Sequence, residues 1–409
     1  MCCSGTRATL RPGDRRRRGK CSREKDPQQA AHARPLRFQV NGYETQDPET
    51  LGAAYNIPYA WPHGPTVGEE PISLVITSPA GGASAAEGDE LENRRRRGPH
   101  VSIIEIAFVN NMPDSAFEET ERQFVGLLEN AAREVGDVTV YVSRYWLPGL
   151  TRSAAIEQIV AREYRRVDDI YLGQPDGLIV TGTEPLTDDL RKEPYWEALA
   201  DLIGWAEGTA ASALLSCLAA HAAALLFDGI ERHALPVKCS GVFVQAIRKR
   251  HPLTEGLGAL VHIPHSRLND LPSGLLQADG YTNLIESPEM NWTVAVKDRG
   301  SCTFVLIQGH PEYSTSSLLR EYRRDLQRFL RGERGTIPTI PVGYFDEESH
   351  RLLVSFEARV RAMPADPELI RDFPFEAVEQ RLFNTWQHSG TRLYANWLRL
   401  IQHRRQRGA

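Results

Sequence analysis

The chain has 409 residues, 41% hydrophobic and 25% charged, with a net charge of −5. This is the balance of a soluble globular protein, and it argues against nucleic acid as the main partner. No stretch approaches the ~18 consecutive apolar residues of a membrane span, and the N-terminus has no apolar signal core. The six cysteines (2, 3, 21, 217, 239 and 302) are too scattered for a disulfide or zinc framework, so a cytoplasmic protein is expected.

Residues 1–97 read as an N-terminal extension, largely flexible. It carries two arginine runs, Arg15–Arg18 and Arg94–Arg97, with no interleaved aromatics, as in solvated arms rather than nucleic-acid tails. The stretch 35–78 between them has enough aromatic and aliphatic content to pack on the main body. A domain over 98–400 follows, and then a basic tail over 401–409.

Within the domain, "VSIIEIAFVN" (101–110) is the apolar run of a strand covered on both faces. Phe117, Phe124, Leu127, Leu128 and Ala131 recur at helical spacing over 117–132. Strands are predicted at 138–146, 176–182, 212–216, 292–298 and 303–309. Helices are predicted at 151–164, capped by Thr151 or Ser153, at 194–208, after Cys217 up to Gly229, and at 316–332. "HRLLVSFEARVRAM" (350–363) has helix-like spacing within a segment, 347–376, suited to lining a site or a subunit contact.

Strands alternating with helices imply an α/β fold with a doubly wound, mainly parallel sheet, whose ligands bind outside the carboxyl ends of the strands. Three of those ends carry reactive or unusual residues: "TGTEP" (181–185), Ser216-Cys217 and "GHPEY" (309–313). A cysteine on a strand-to-helix turn exposes its sulfur. The helix N-terminus stabilises the thiolate, and the backbone N–H of the next residue, Leu218, becomes an oxyanion donor. Ala219 and Ala220 allow the close approach such a turn needs. On that segment alone a buried structural thiol explains as much. His310, after a strand and a glycine and ahead of Pro311, is poorly explained as core filling. His310 and Glu312 are an i, i+2 pair on one side of an extended segment, so the carboxylate can orient the imidazole. Cys217, His310 and Glu312 together make an acyl-transfer triad. Thr183, in "TGT", can lend a second backbone N–H to the oxyanion. His221 reads as a helix-face residue with no catalytic part.

Several segments, in order, resemble the homoserine O-succinyltransferase / O-acetyltransferase family: "NNMPDSAFEETERQFVGLLEN" (110–130), "DGLIVTG", "LPVKCSGVF" (235–243), "PHSRLND" (264–270), "GHPEYSTSSLLREYRRD" (309–325) and "FNTWQHSGTRLYANWL" (383–398). These are acyltransferases of methionine biosynthesis on a flavodoxin-like, class I glutamine-amidotransferase-like fold. The resemblance implies a Cys217 acyl-thioester, His310 as proton acceptor and Glu312 as its support. It places Lys238, Ser266 and Arg324 at substrate contacts. It also implies a homodimer acting on homoserine and acyl-CoA, with acyl-CoA as co-substrate and no bound cofactor, metal, nucleic acid or membrane. The family's acyl selector, glycine for succinyl and glutamate for acetyl, falls on Leu186, or on Thr187 after a one-residue shift. Leu218 stands where an aromatic is common. Succinyl is the expected acyl group. A glutamine amidotransferase-like hydrolase, an acyltransferase on another hydroxy amino acid, and a non-enzymatic binding protein stay open on the residues.

Overall fold

A computed structural model describes residues 73–77 and 102–408. Both arginine runs and Cys2, Cys3 and Cys21 lie outside the described residues. One sheet runs through the described chain. Its strands are β1 (Leu74–Thr77), β2 (Ser102–Val109), β3 (Val138–Trp146), β4 (Arg165–Arg166), β5 (Gly177–Val180), β6 (Ser212–Ser216), β7 (His233–Ile247), β8 (Leu260–Asp270), β9 (Thr282–Glu286), β10 (Val294–Arg299) and β11 (Cys302–Ile307). The helices are α1 (Phe117–Val135), α2 (Ala154–Glu163), α3 (Trp196–Thr209), α4 (Leu218–Asp228), α5 (Ser273–Ala278), α6 (Ser317–Leu330), α7 (Glu347–Ala362), α8 (Phe375–Glu379) and α9 (Gln387–Gly408).

The strand order is β1-β3-β2-β5-β6-β11-β10-β9-β7-β8, with β4 beside β3. Every pairing from β1 to β11 is parallel; every pairing from β11 onward is antiparallel. The run β3-β2-β5-β6-β11 is the flavodoxin-like order, and its carboxyl ends form one edge. The fold is thus the expected α/β type with a mainly parallel sheet.

Alternation along the central strands explains the layers. Leu178, Val180, Ala213 and Leu215 face the core that holds α3 and the alanines of α4. Ile179 and Leu214 point the other way, into the core built with α1 and α9. Both faces are covered, so the strands read as unbroken apolar runs. A third core joins Leu318, Tyr322 and Leu326 of α6 to Leu353, Phe356 and Val360 of α7 and to Trp386. The helix expected in the 347–376 segment is therefore α7, and it packs on the helix that follows the His310 strand. Ser153 is the cap of α2, its side chain accepting from the Ile156 N–H.

β1 lies within 35–78, the stretch expected to pack on the main body, and pairs in parallel with β3. One segment differs from the sequence reading. The segment read as a basic tail is the last turns of α9. Ile401 is fully buried there, Arg404 pairs with Asp298, and Arg405 bonds Asp176 at 3.0 Å, so these arginines anchor the helix instead of leaving it. The antiparallel half, β7 to β9, was also missed. Among the described residues no helix is long and apolar enough to cross a membrane.

Candidate active site

The Cys217 position is built by the sheet itself. β6 and β11 run in parallel with Ser216 opposite Ile307, and the Cys217 N–H continues that ladder with a 2.7 Å bond to the Ile307 carbonyl. The chain then turns at once into α4. Cys217 takes φ +49°, ψ −107°, a backbone region that a side chain seldom occupies. Its carbonyl already accepts from Ala220 N–H at 3.1 Å, so it caps the helix. Leu218, the first helical residue, has no intrahelical acceptor for its N–H.

β5 delivers the segment that faces Cys217. Val180 pairs with Leu215, which puts Gly182 level with Cys217. A Cβ on Gly182 would lie 3.3 Å from Cys217 Cβ and 3.4 Å from Leu218 N. The "TGT" turn therefore reaches Cys217. The Thr183 hydroxyl beside it is buried without a partner.

His310 arrives two residues past Gln308 at the end of β11. Its N–H donates to the Pro264 carbonyl of β8 at 2.8 Å. Gly309 makes that approach possible: a Cβ there would lie 2.5 Å from Ile263 Cγ2 and 3.1 Å from His265 Nε2. The His310 Nδ1 and Glu312 Oε1 are 2.8 Å apart. Burial pushes the imidazole pKa down, but the Glu312 charge and hydrogen bonds with Cys217 and Glu312 outweigh it and push it up to about 10. The structure therefore brings Cys217, His310 and Glu312 together as one unit. The Tyr313 ring stacks on His310, with centroids 4.3 Å apart and planes 15° apart.

Lys238 (β7), Ser266 (β8) and Arg324 (α6) also converge, on two carboxylates of α6. Lys238 Nζ lies 3.2 Å from Glu321 and 2.8 Å from Asp325. Arg324 lies 3.2 Å from Asp325 and 4.0 Å from Glu321. The Ser266 hydroxyl donates to Glu321, and so does the Tyr313 hydroxyl, the latter at 2.6 Å. Burial raises the Glu321 pKa, but Lys238, Arg324 and the two hydroxyls outweigh it and bring it down to about 2. Arg334 adds a third cation 3.4 Å from Asp325.

The two selector candidates are placed differently. The Leu186 side chain is 75% exposed. Thr187 is half-buried, and its N–H and hydroxyl donate to Glu193 Oε1 at 2.6 and 3.0 Å. Arg232 donates to the Thr187 carbonyl at 2.8 Å. His221, read as a helix-face residue, is buried and braces the site. Its Nε2 is 2.7 Å from Gln308 Oε1, tying α4 to the strand end that carries His310. Burial pushes its pKa down to about 4. Sequence reasoning missed Tyr313 and Glu321. The available signals were that Tyr313 ends the "GHPEY" segment and that Glu321 lies one helical turn before Arg324. Among the described residues no group of three or more histidine, cysteine or acidic side chains could hold a metal ion.

The family model for homoserine O-succinyltransferase matches residues 86–406. A homoserine O-succinyltransferase of Rhodopseudomonas palustris is 41% identical over 302 residues, covering 74% of this chain and 89% of that one. One of Bradyrhizobium japonicum is 39% identical over 331 residues, covering 81% and 96%. Among solved structures, a glutamine amidotransferase of Thermotoga maritima is 12% identical, covering 73% of this chain and 98% of that one, with a TM-score of 0.39. With a family model across most of its length and relatives this similar, the chain belongs to the homoserine O-succinyltransferase family, a family of transferases.

Proposed function

We propose that this chain transfers a succinyl group from succinyl-CoA to the hydroxyl of L-homoserine, an early step of methionine biosynthesis, through a thioester on Cys217. The observation that carries the proposal is the cysteine at φ +49° on a helix N-terminus, hydrogen-bonded to an imidazole that a carboxylate holds. The Cys217 sulfur reacts as the thiolate beside the protonated His310 imidazole. The Cys217 sulfur attacks the thioester carbonyl, the developing oxyanion faces the Leu218 N–H and the 182–183 turn, and the bond to CoA sulfur breaks. CoA leaves as the thiol with the proton from His310. The imidazole is then neutral and removes the hydroxyl proton of homoserine as its oxygen attacks the acyl carbon. The Cys217–acyl bond breaks, and the ion pair is restored.

Lys238 and Arg324 supply charge-assisted donors for the amino-acid carboxylate. Glu193 holds the backbone N–H of both Leu186 and Thr187, but only Thr187 also has its side chain fixed there while Leu186 is exposed, so Thr187 suits the acyl-selector role better. The reading extends to a homodimer, as the family resemblance implies, and to residence in the cytoplasm.

Mass spectrometry of the protein mixed with succinyl-, acetyl- and other acyl-CoAs tests the proposal. A succinyl adduct on Cys217, discharged by homoserine, is expected. Ammonia release from glutamine with no adduct from any acyl-CoA would instead identify a hydrolase. Sedimentation in solution tests the dimer.

A further inference from the structure

The reaction described above uses Cys217, His310 and Glu312 and holds its acceptor with Lys238, Ser266 and Arg324. One side chain touches both groups and is used by neither. Tyr313 lies flat on the His310 imidazole, and its hydroxyl donates to Glu321, the carboxylate on which Lys238, Ser266 and Arg324 converge. It is fixed at both ends of its backbone. Its N–H donates to the His310 carbonyl at 3.1 Å, and its own carbonyl accepts from the Trp386 indole at 2.9 Å. With the backbone held in this way, the ring cannot swing off the imidazole without breaking its hydroxyl bond to Glu321.

We propose that Tyr313 is a positioning residue with two separable tasks. Its ring holds the His310 imidazole in the plane that faces Cys217. Its hydroxyl, through Glu321, links that imidazole to the amino-acid subsite, so that acceptor binding and base orientation are coupled. The physics of each task is distinct. A parallel stack restricts rotation of the imidazole about its Cβ–Cγ bond and, through the negative face of the phenol, favours the imidazolium. The hydroxyl bond to a carboxylate is charge-assisted, so it senses any rearrangement of the cations around Glu321. When the acceptor carboxylate engages Lys238 and Arg324, Glu321 loses part of its pairing and draws more strongly on Tyr313. The second task rests on the acyltransferase reading proposed above; the first does not.

Two substitutions separate the tasks. Tyr313→Phe keeps the ring and deletes the hydroxyl. Tyr313→Leu deletes both. Three measurements are made: the rate of Cys217 acylation by succinyl-CoA, the KM for homoserine, and the pH profile of Cys217 alkylation by iodoacetamide. Loss of one hydrogen bond to a charged group corresponds to about tenfold, so Tyr313→Phe should raise the homoserine KM about tenfold while slowing acylation several-fold less than that. Tyr313→Leu should add a shift of the alkylation profile, reflecting a less favoured imidazolium, which Tyr313→Phe does not show.

An unchanged homoserine KM in Tyr313→Phe, or equal losses in both half-reactions, overturns the coupling. An alkylation profile in Tyr313→Leu identical to that of the unsubstituted protein overturns the stacking role. Failure of the unsubstituted protein to take an acyl group defeats the acyltransferase reading and the coupling with it, while the alkylation profiles still decide the stacking role.

Discussion

Gly182 and Cys217 lie so close that a single methyl group on the glycine would rest 3.3 Å from the cysteine Cβ and 3.4 Å from Leu218 N. On the mechanism proposed above, the methyl would stand where the oxyanion forms. Gly182→Ala should therefore fold normally but slow acylation of Cys217 by about 10²-fold, the cost of one lost oxyanion donor. Stopped-flow thiol release with succinyl-CoA measures it; an unaltered burst would show that the oxyanion lies elsewhere.

Glu312 sets the charge of His310. Glu312→Gln removes the strongest influence raising that pKa, so the imidazolium is no longer favoured at neutral pH. Turnover should fall by about 10²–10⁴-fold, as when a base loses its orienting carboxylate. The sign for stability follows from the raised folded pKa. His310 contributes stability that is complete below its unfolded value of 6.5 and is lost as pH rises through about 10. The variant should show a flatter alkaline decline in melting temperature over that window.

His221 gives the opposite slope. Its folded pKa is depressed to about 4, so its stabilising contribution is present above 6.5 and is lost as pH falls towards 4. His265, buried beside Arg267, is depressed too and works over the same side of neutrality. Replacing one of them, as His221→Gln, should reduce the acid-side slope by up to about 1.4 kcal/mol per pH unit. Denaturant melts at several pH values between 7 and 4 would reveal it.

Gly309 is the narrowest fit at the site. Gly309→Ala places a Cβ 2.5 Å from Ile263 Cγ2 and must push His310 off its line to Cys217. A displacement near 1 Å costs about 10²-fold in rate. Adding Ile263→Ala, which removes the opposing methyl, should recover part of the activity. Additive losses in the double variant would argue against steric displacement.

Lys238 holds two largely buried carboxylates, Glu321 and Asp325. Lys238→Met should raise KM for homoserine and also destabilise the fold by about 2–3 kcal/mol, because the anions lose a partner away from water. Lys238→Arg keeps the charge and should retain most of the stability while still altering KM. Thermal melts beside steady-state kinetics distinguish the two effects.

The parallel half of the sheet was legible because each strand is buried on both faces; 138–146 and 212–216 stand at the bounds read from the sequence. In the antiparallel half β10 was legible, at 292–298, but β7 to β9 were not. β8 buries His265, Arg267 and Asp270, joined by bonds of 2.6 and 3.1 Å, where an ordinary strand buries aliphatics. β7 contains Pro236 and Gly241 and a register shift between Ala234 and Cys239, which erase a two-residue period. Cys217 was legible because it directly follows β6, and His310 and Glu312 because they lie in the short segment just past β11. The roles of Tyr313 and Glu321 arise only when α6 folds back over the edge, bringing Glu321 under a ring that precedes it by eight positions.

The pairing of Lys238 and Arg324 with Glu321 and Asp325 has a consequence for the acceptor. Both cations already have partners, so an incoming carboxylate must displace existing contacts rather than fill a void. On the acyltransferase reading proposed above, a zwitterionic acceptor carries the charges with which to do so and a neutral alcohol does not, which ties acceptance to a charged guest.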